Sequence, residues 1–149
     1  MTPEQLRLVR TTVVRIEDQA ERFSNKFVEA LVWASPDLGR FLPGDPAALA
    51  EVRRSFVREL AFLAESAADL RTFLRTARKL GARNHRRGMR PEHYEAIAPA
   101  LMTALRDTMG TEFTPEVELA WRRLYCLITE TMLEAATFEQ FGRIVSTGG

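Results

Sequence analysis

The chain has 149 residues, with 21 Lys+Arg against 20 Asp+Glu and 46% hydrophobic residues. This length and composition predict one globular domain over residues 1–149 and exclude a disordered or fibrous chain. The single cysteine excludes an internal disulfide and a cysteine-based zinc site, and the formal net charge of +1 disfavours a dedicated nucleic-acid-binding protein.

The sequence also predicts no association with a membrane. No apolar run approaches the roughly 18 residues that a transmembrane helix needs. The first ten residues, MTPEQLRLVR, lack the apolar block and the small-residue cleavage site of a signal peptide. We therefore expect a soluble protein located in the cytoplasm.

Apolar residues at three- and four-residue intervals predict two helices in the first 35 residues. The first begins after Thr2, which with Gln5 forms a capping box around a first-turn proline. The second ends before Pro36, because the residue preceding a proline is pushed out of helical geometry. The apolar faces consist of Leu6, Val9, Val13 and Ile16 in the first helix, and Phe23, Phe27 and Leu31 in the second.

The middle of the chain predicts a short helix followed by two longer ones. Pro36 starts the short helix, which runs through Phe41, and the corner Pro43–Pro46 then supplies Asp45 as an N-cap. The next helix fades near residues 66–69, and another runs from Leu70 toward His85. Gly88 and Pro91 break the chain after it.

Two further helices complete the pattern. One opens at Pro91 and ends at Gly110, and the last long helix starts at Thr114-Pro115. The sequence has no alternating β-branched run and no hairpin turn. It therefore predicts an all-α domain of about seven helices, one of them short, with lengths too uneven for a regular four-helix bundle.

Two stretches in the second half resemble bacterial globins, especially single-domain bacterial haemoglobins and the globin domains of flavohaemoglobins. They are LGARNHRRGMRPEHYEAIAPALMTAL and TPEVELAWRRLYCLITETML. The first half fits the same family less specifically. The resemblance implies a globin fold around a haem pocket, with haem b, iron protoporphyrin IX, as the cofactor.

The resemblance also implies that His85 is the proximal ligand of the haem iron. A haem iron needs a strong donor on a rigid element beside an apolar slot. The interval from His85 to Tyr94 is one residue shorter than in the family, which we interpret as a deletion in the turn, although counting back at the family interval would end at Asn84. The alternative is that His85 is a surface residue in the basic run 83–87.

The family pattern implies a set of haem contacts, with two departures on the ligand-binding side. Val28 stands where flavohaemoglobins place a tyrosine, and Arg53 stands at the position of their distal glutamine. Arg53 could donate to a bound ligand, pair with a haem propionate, or face solvent. On the proximal side, Ala136 replaces a glutamate of the family network. The implied contacts are Phe27, Val28, Phe41, Leu42, Arg53, Phe56, Val57, Met89, Tyr94, Ile97 and Tyr125.

The resulting hypothesis is a haem-binding globin that binds the diatomic gases oxygen, nitric oxide or carbon monoxide, for oxygen transport, sensing or redox. No residue is assigned a catalytic role. One alternative is a nitric oxide dioxygenase or peroxidase-like enzyme that uses a separate reductase. Another is a globin-fold interaction module without haem. A homodimer is left open, as is the use of the arginine-rich stretch of residues 71–90, which a solvated helix face explains most simply.

Overall fold

A computed structural model describes residues 1–147 and is helical over nearly all of them. This confirms the all-α prediction, including a short helix, of the 3-10 type, after Pro36. The described residues form six α-helices and two 3-10 helices. They are α1 Pro3–Asp18, α2 Ala20–Ala34, the 3-10 helix Pro36–Phe41, α3 Pro46–Ser66, α4 Leu70–Arg86, α5 Pro91–Met109, the 3-10 turn Gly110–Glu112, and α6 Pro115–Thr147.

The predicted N-terminal caps are present. The Oγ1 atom of Thr2 accepts a hydrogen bond from the Gln5 N–H at 3.1 Å. The Gln5 side chain in turn accepts the Thr2 N–H at 3.0 Å, which completes the capping box. Asp45 caps α3 by accepting the Ala48 N–H at 2.9 Å. These local bonds fix where α1 and α3 begin, because they satisfy N–H groups that have no partner within the helix.

The helices pack around one apolar core. The main interfaces are those of α2 with α5 and of α4 with α6, and α1 crosses both α3 and α6. The largest fully buried side chains include Trp121, Phe23 and Phe73. Over part of their length α3 and α4 are not in contact. The cavity between them is bounded on its inner side by α5 and α6. Within residues 1–147 no helix combines the length and apolar character that crossing a membrane requires.

Candidate ligand cavity

A cavity of about 390 Å³ lies between α3 and α4, with α5 and α6 behind it. This volume falls in the range of small-molecule sites, roughly 300–1,000 Å³. Most of the lining is apolar or aromatic, and charged side chains stand at one side. The lining residues are Phe27, Leu31, Glu51, Val52, Ser55, Phe56, Glu59, Leu60, Leu63, Leu80, Arg83, Asn84, Arg87, Met89, Tyr94, Ile97, Leu101, Tyr125, Ile128, Thr129 and Met132.

One wall of the cavity is an aromatic stack between α2 and α3. The rings of Phe27 and Phe56 are nearly parallel, with centroids 4.2 Å apart. The ring of Phe23 lies on Phe56 at 6.3 Å in the same orientation. Stacked rings resist rotation because each is held by contacts on its faces. The α2 side of the cavity is therefore a rigid apolar wall without a hydrogen-bond donor.

The opposite wall is the face of α4 formed by Leu80, Arg83, Asn84 and Arg87. The Nδ2 atom of Asn84 donates to the Tyr94 hydroxyl at 3.5 Å. Arg83 binds Glu59 of α3 through two hydrogen bonds, of 2.7 and 3.1 Å. This bidentate pair connects the two helices that flank the cavity, and both of its side chains are about two-thirds buried.

Two tyrosines close the inner end of the cavity. The Tyr125 hydroxyl donates to the backbone oxygen of Tyr94, which ties α6 to the first turn of α5. Burial raises the pKa of both phenols, and the neighbouring Tyr94 raises the pKa of Tyr125 further. Both side chains are therefore neutral phenols at physiological pH and present hydroxyl groups rather than anions.

The structure brings together six of the eleven haem contacts that the sequence implied. They come from α2, α3, the loop after α4, α5 and α6. These six are Phe27, Phe56, Met89, Tyr94, Ile97 and Tyr125. The other five, Val28, Phe41, Leu42, Arg53 and Val57, do not line the cavity.

Arg53 and Val57 do not line the cavity, because α3 turns a neighbouring face toward it. The cavity residues of α3 follow the helical intervals of Val52, Ser55, Phe56 and Glu59. A shift of one position rotates a side chain by about 100° around a helix. Val57 consequently packs in the core at 6% exposure, and the Nε atom of Arg53 is buried without a partner. Val52 and Phe56 take the places that the sequence assigned to Arg53 and Val57.

Val28, Phe41 and Leu42 lie beside the core but away from the cavity. Val28 is half-buried on the face of α2 next to that of Phe27. Phe41 places its ring edge-on to the His93 ring, with centroids 5.4 Å apart. The Leu42 N–H bonds to Gly39 at the end of the 3-10 helix, and Leu42 itself is half-buried. Phe56, and not Phe41, presents an aromatic ring to the cavity.

His85 also lies outside the lining, whereas its neighbour Asn84 belongs to it. The helix ends in a Schellman motif, in which the Met89 N–H bonds to the Asn84 oxygen and the Gly88 N–H bonds to the His85 oxygen. Gly88 takes a φ of 94°, which glycine adopts without strain. The turn after α4 is thus a regular helix ending. Asn84, ten residues before Tyr94, faces the cavity and is the hydrogen-bond partner of the Tyr94 hydroxyl.

The sequence analysis did not assign most of the cavity-lining residues to the site. Among those it left out are Glu51, Glu59, Thr129 and Met132. One signal could have indicated the α4 face. Gly88 followed by apolar Met89 is the usual signature of a Schellman helix end. Placing that motif first would have fixed the length of the turn and favoured Asn84 over a deletion.

His93 is buried at the start of α5 and has a defined hydrogen-bonding state. Its Nδ1 atom accepts the Arg90 backbone N–H at 2.9 Å. The neutral ring therefore carries its proton on Nε2 and donates to Asp37 at 2.8 Å. This bond holds α5 against the 3-10 helix Pro36–Phe41. His93 acts at the N-terminal turn of α5 and does not line the cavity.

Replacing Asp37 with asparagine is expected to reduce stability at neutral pH but not in acid. The His93 hydrogen bond holds the pKa of Asp37 below its ordinary value of 3.8. A lowered carboxylate pKa stabilises the fold above the ordinary value, and the contribution is lost as pH falls through the lowered value. The free energies of unfolding of the wild type and of Asp37→Asn in urea should therefore differ at neutral pH and converge as the pH falls through the lowered pKa.

The matched control is Asp18→Asn, since Asp18 is exposed and makes no ion pair with a described residue. This variant should follow the wild-type profile over the whole pH range. A stability difference for Asp37→Asn that persisted unchanged in acid would contradict the role given to the carboxylate.

The residue types of the cavity bear directly on metal binding. Among the residues that the structure describes, no group of three or more His, Cys, Asp and Glu side chains is placed to hold a metal ion. The cavity lining contains neither His nor Cys. Its side-chain oxygen and sulfur atoms come from Ser55, Thr129, Asn84, two tyrosines, two glutamates and two methionines.

Comparisons with known proteins agree with this architecture. The globin family model matches residues 41–132, so the chain belongs to the globin family. It is 20% identical to a flavohemoprotein of Bacillus subtilis over 91% of this chain and 34% of that protein. A flavohemoprotein of Rhodopirellula baltica is 25% identical over 94% of this chain and 35% of that protein. The chain thus spans about a third of the length of these curated relatives.

A solved structure shows the same fold. The hexacoordinated heme protein from an anhydrobiotic tardigrade superposes with a TM-score of 0.79 at 14% identity, covering 92% of this chain and 96% of that one. At this identity the likeness concerns the arrangement of the helices. It confirms the globin fold that the two sequence stretches predicted.

Proposed function

We propose that this globin binds an apolar ligand in the cavity between α3 and α4, and that the ligand is haem. The observation that carries the proposal is a cavity of about 390 Å³ with an aromatic wall on one side and apolar side chains of α5 and α6 behind. Globin-family membership and the haem proteins among its relatives support haem as the candidate. The single cysteine of the chain cannot supply the paired thioether attachment of a c-type haem, which favours haem b.

The walls and the charged side of the cavity fit a porphyrin. Ile97, Leu101 and Ile128 offer apolar contacts to a flat ring. Arg87 stands on the α4 side, where its guanidinium group could pair with a propionate, whereas Arg83 is already paired with Glu59. Arg87 makes no ion pair with a carboxylate of the described residues, so it is available for this role.

The iron ligand is the point at which the residues do not fit the family pattern. The side chain that α4 presents is the Asn84 amide, and a neutral amide is a poor ligand for haem iron compared with the family's imidazole. The two tyrosines are held as neutral phenols by burial, which raises the pKa of each. We therefore derive no reaction at the iron from this arrangement.

The finer functions depend on a bound haem. From family membership we propose that the protein binds oxygen, nitric oxide or carbon monoxide. Transport or sensing of such a gas would follow from this binding. Turnover as a nitric oxide dioxygenase, with electrons from a reductase, is proposed from the flavohemoprotein relatives alone. On the α3 side, Val52 and Phe56 offer apolar contacts to a bound gas and Ser55 offers a hydroxyl.

Titration with haemin tests the proposal. Purified protein should bind one equivalent and develop a Soret band distinct from that of free haemin. Ile97→Trp fills the cavity, and we expect it to weaken haemin binding by at least tenfold, whereas Val14→Trp on the exposed face of α1 should leave it unchanged. Equal binding by all three proteins would mean that haemin adsorbs to the surface, and the proposal would fail.

A haem-free ligand is the second candidate function. The absence of imidazole from the described lining and the free Arg87 at its charged side favour an apolar molecule with a carboxylate group. Stabilisation of the protein by a long-chain fatty acid, together with no uptake of haemin, would assign the cavity to that class.

A further inference from the structure

The rotation of α4 about its own axis decides which side chain enters the cavity. Phe73, Ala77 and Gly81 form its buried stripe at four-residue intervals, and Gly81 faces Met132 of α6. His85 is the next residue at that interval and continues the stripe. Leu80, Arg83, Asn84 and Arg87 form the adjacent stripe, which lines the cavity.

Gly81 fixes this rotation because no other residue type fits its contact. A Cβ atom at position 81 would lie 2.6 Å from both the Cα and the backbone oxygen of Met132. The backbone of α4 therefore touches the backbone of α6 at this position. Turning α4 by about 100° to bring His85 into the cavity would replace Gly81 at this contact with a residue that carries a side chain.

Three further bonds hold the last turn of α4 in the same orientation. Arg86 binds Glu139 of α6 at 3.0 Å, one residue past His85. Arg83 binds Glu59 of α3, and Asn84 binds the Tyr94 hydroxyl of α5. These contacts lie on three different helices. A rotation that placed the imidazole in the cavity would break all of them together with the Gly81 contact.

We infer that Asn84, held in place by the Gly81 contact, is the residue of α4 that meets the ligand, so that a haem in this cavity would receive no bond from the His85 imidazole. The inference rests on the proposed function, because haemin is the ligand used to test it. The position of α4 that faces the cavity then carries an amide instead of an imidazole.

Spectra of haemin complexes of four proteins test this inference. They are the wild type, His85→Ala, Asn84→His and the double variant Asn84→His/His85→Ala. We expect His85→Ala to change haemin affinity by less than threefold and to leave the spectrum unchanged. Asn84→His should raise haemin affinity by at least tenfold and produce an iron–histidine stretch in the resonance Raman spectrum of the reduced complex. The double variant should keep that stretch.

The outcomes separate the inference from the proposed function. An iron–histidine stretch in the wild type that His85→Ala abolishes would overturn the inference and leave haem binding intact. No haemin binding by the wild type, with binding and the stretch gained by Asn84→His, would support the inference and refute the proposed function. Asn84→His without the stretch would overturn the inference. If Asn84→His does not fold, as judged by circular dichroism, the wild type and His85→Ala still decide through their spectra.

Discussion

Replacement of Trp121 with alanine is expected to lower the free energy of unfolding by about 3–5 kcal/mol, the usual cost of removing a large core aromatic. Trp121 is fully buried, in the second turn of α6. The loss is a large fraction of the roughly 5–15 kcal/mol that stabilises a typical domain. Urea unfolding followed by circular dichroism measures it through the midpoint, with the slope unchanged.

The matched control is Trp33→Ala, because the Trp33 side chain is 87% exposed. This variant should change stability by no more than about 0.5 kcal/mol. Trp121→Phe adds a second comparison, since the Nε1 atom of Trp121 is buried without a hydrogen-bond partner. Phenylalanine keeps most of the apolar contact and removes the unpaired N–H, so it should lose less stability than alanine. Similar losses for Trp33→Ala and Trp121→Ala would contradict the described core.

Gly81→Ala is expected to destabilise the protein by about 1–3 kcal/mol, as overpacking of a filled interior does. In an exposed helix the same change would gain roughly 1 kcal/mol from helix propensity. The sign reverses here because the new methyl group would meet the backbone of Met132, which cannot move aside as a flexible side chain could. Thermal unfolding should show a midpoint lower by several degrees.

Gly142→Ala is the control for this prediction. Gly142 also lies in an α-helix, and a Cβ atom there would meet nothing within 4 Å. The variant should therefore be neutral or slightly stabilising. A stabilising Gly81→Ala would show that α4 and α6 are farther apart than described and would remove the main support for the orientation of Asn84.

Local sequence signals predicted the helix boundaries well. The Thr2–Gln5 capping box, the Asp45 cap and the Ser35-Pro36 break lie where the sequence indicated. Such signals work because a cap or a proline acts on backbone groups within a few residues. The length and order of the helices could therefore be read without knowing their neighbours.

The sequence predicted less well which side chains of each helix line the cavity. Phe27, Phe56 and Tyr94 do line the cavity, because large apolar residues at helical intervals enter the interior under any packing. Arg53 and Val57 were assigned to the cavity and lie one position away from the residues that line it. An error of one position moves a side chain to another face of the helix, and local propensity does not detect it.

By itself, the sequence determined an all-α fold of the globin family, the ends of its helices and the apolar character of its interior, because these follow from periodicity, caps and residue type. Only the tertiary structure decided that Asn84 rather than His85 faces the cavity. The orientation of α4 depends on a close backbone contact between Gly81 and Met132, 51 positions apart in the chain. The Gly88-Met89 signature indicates only where α4 ends, and a contact of that range leaves no local pattern that sets the rotation of the helix.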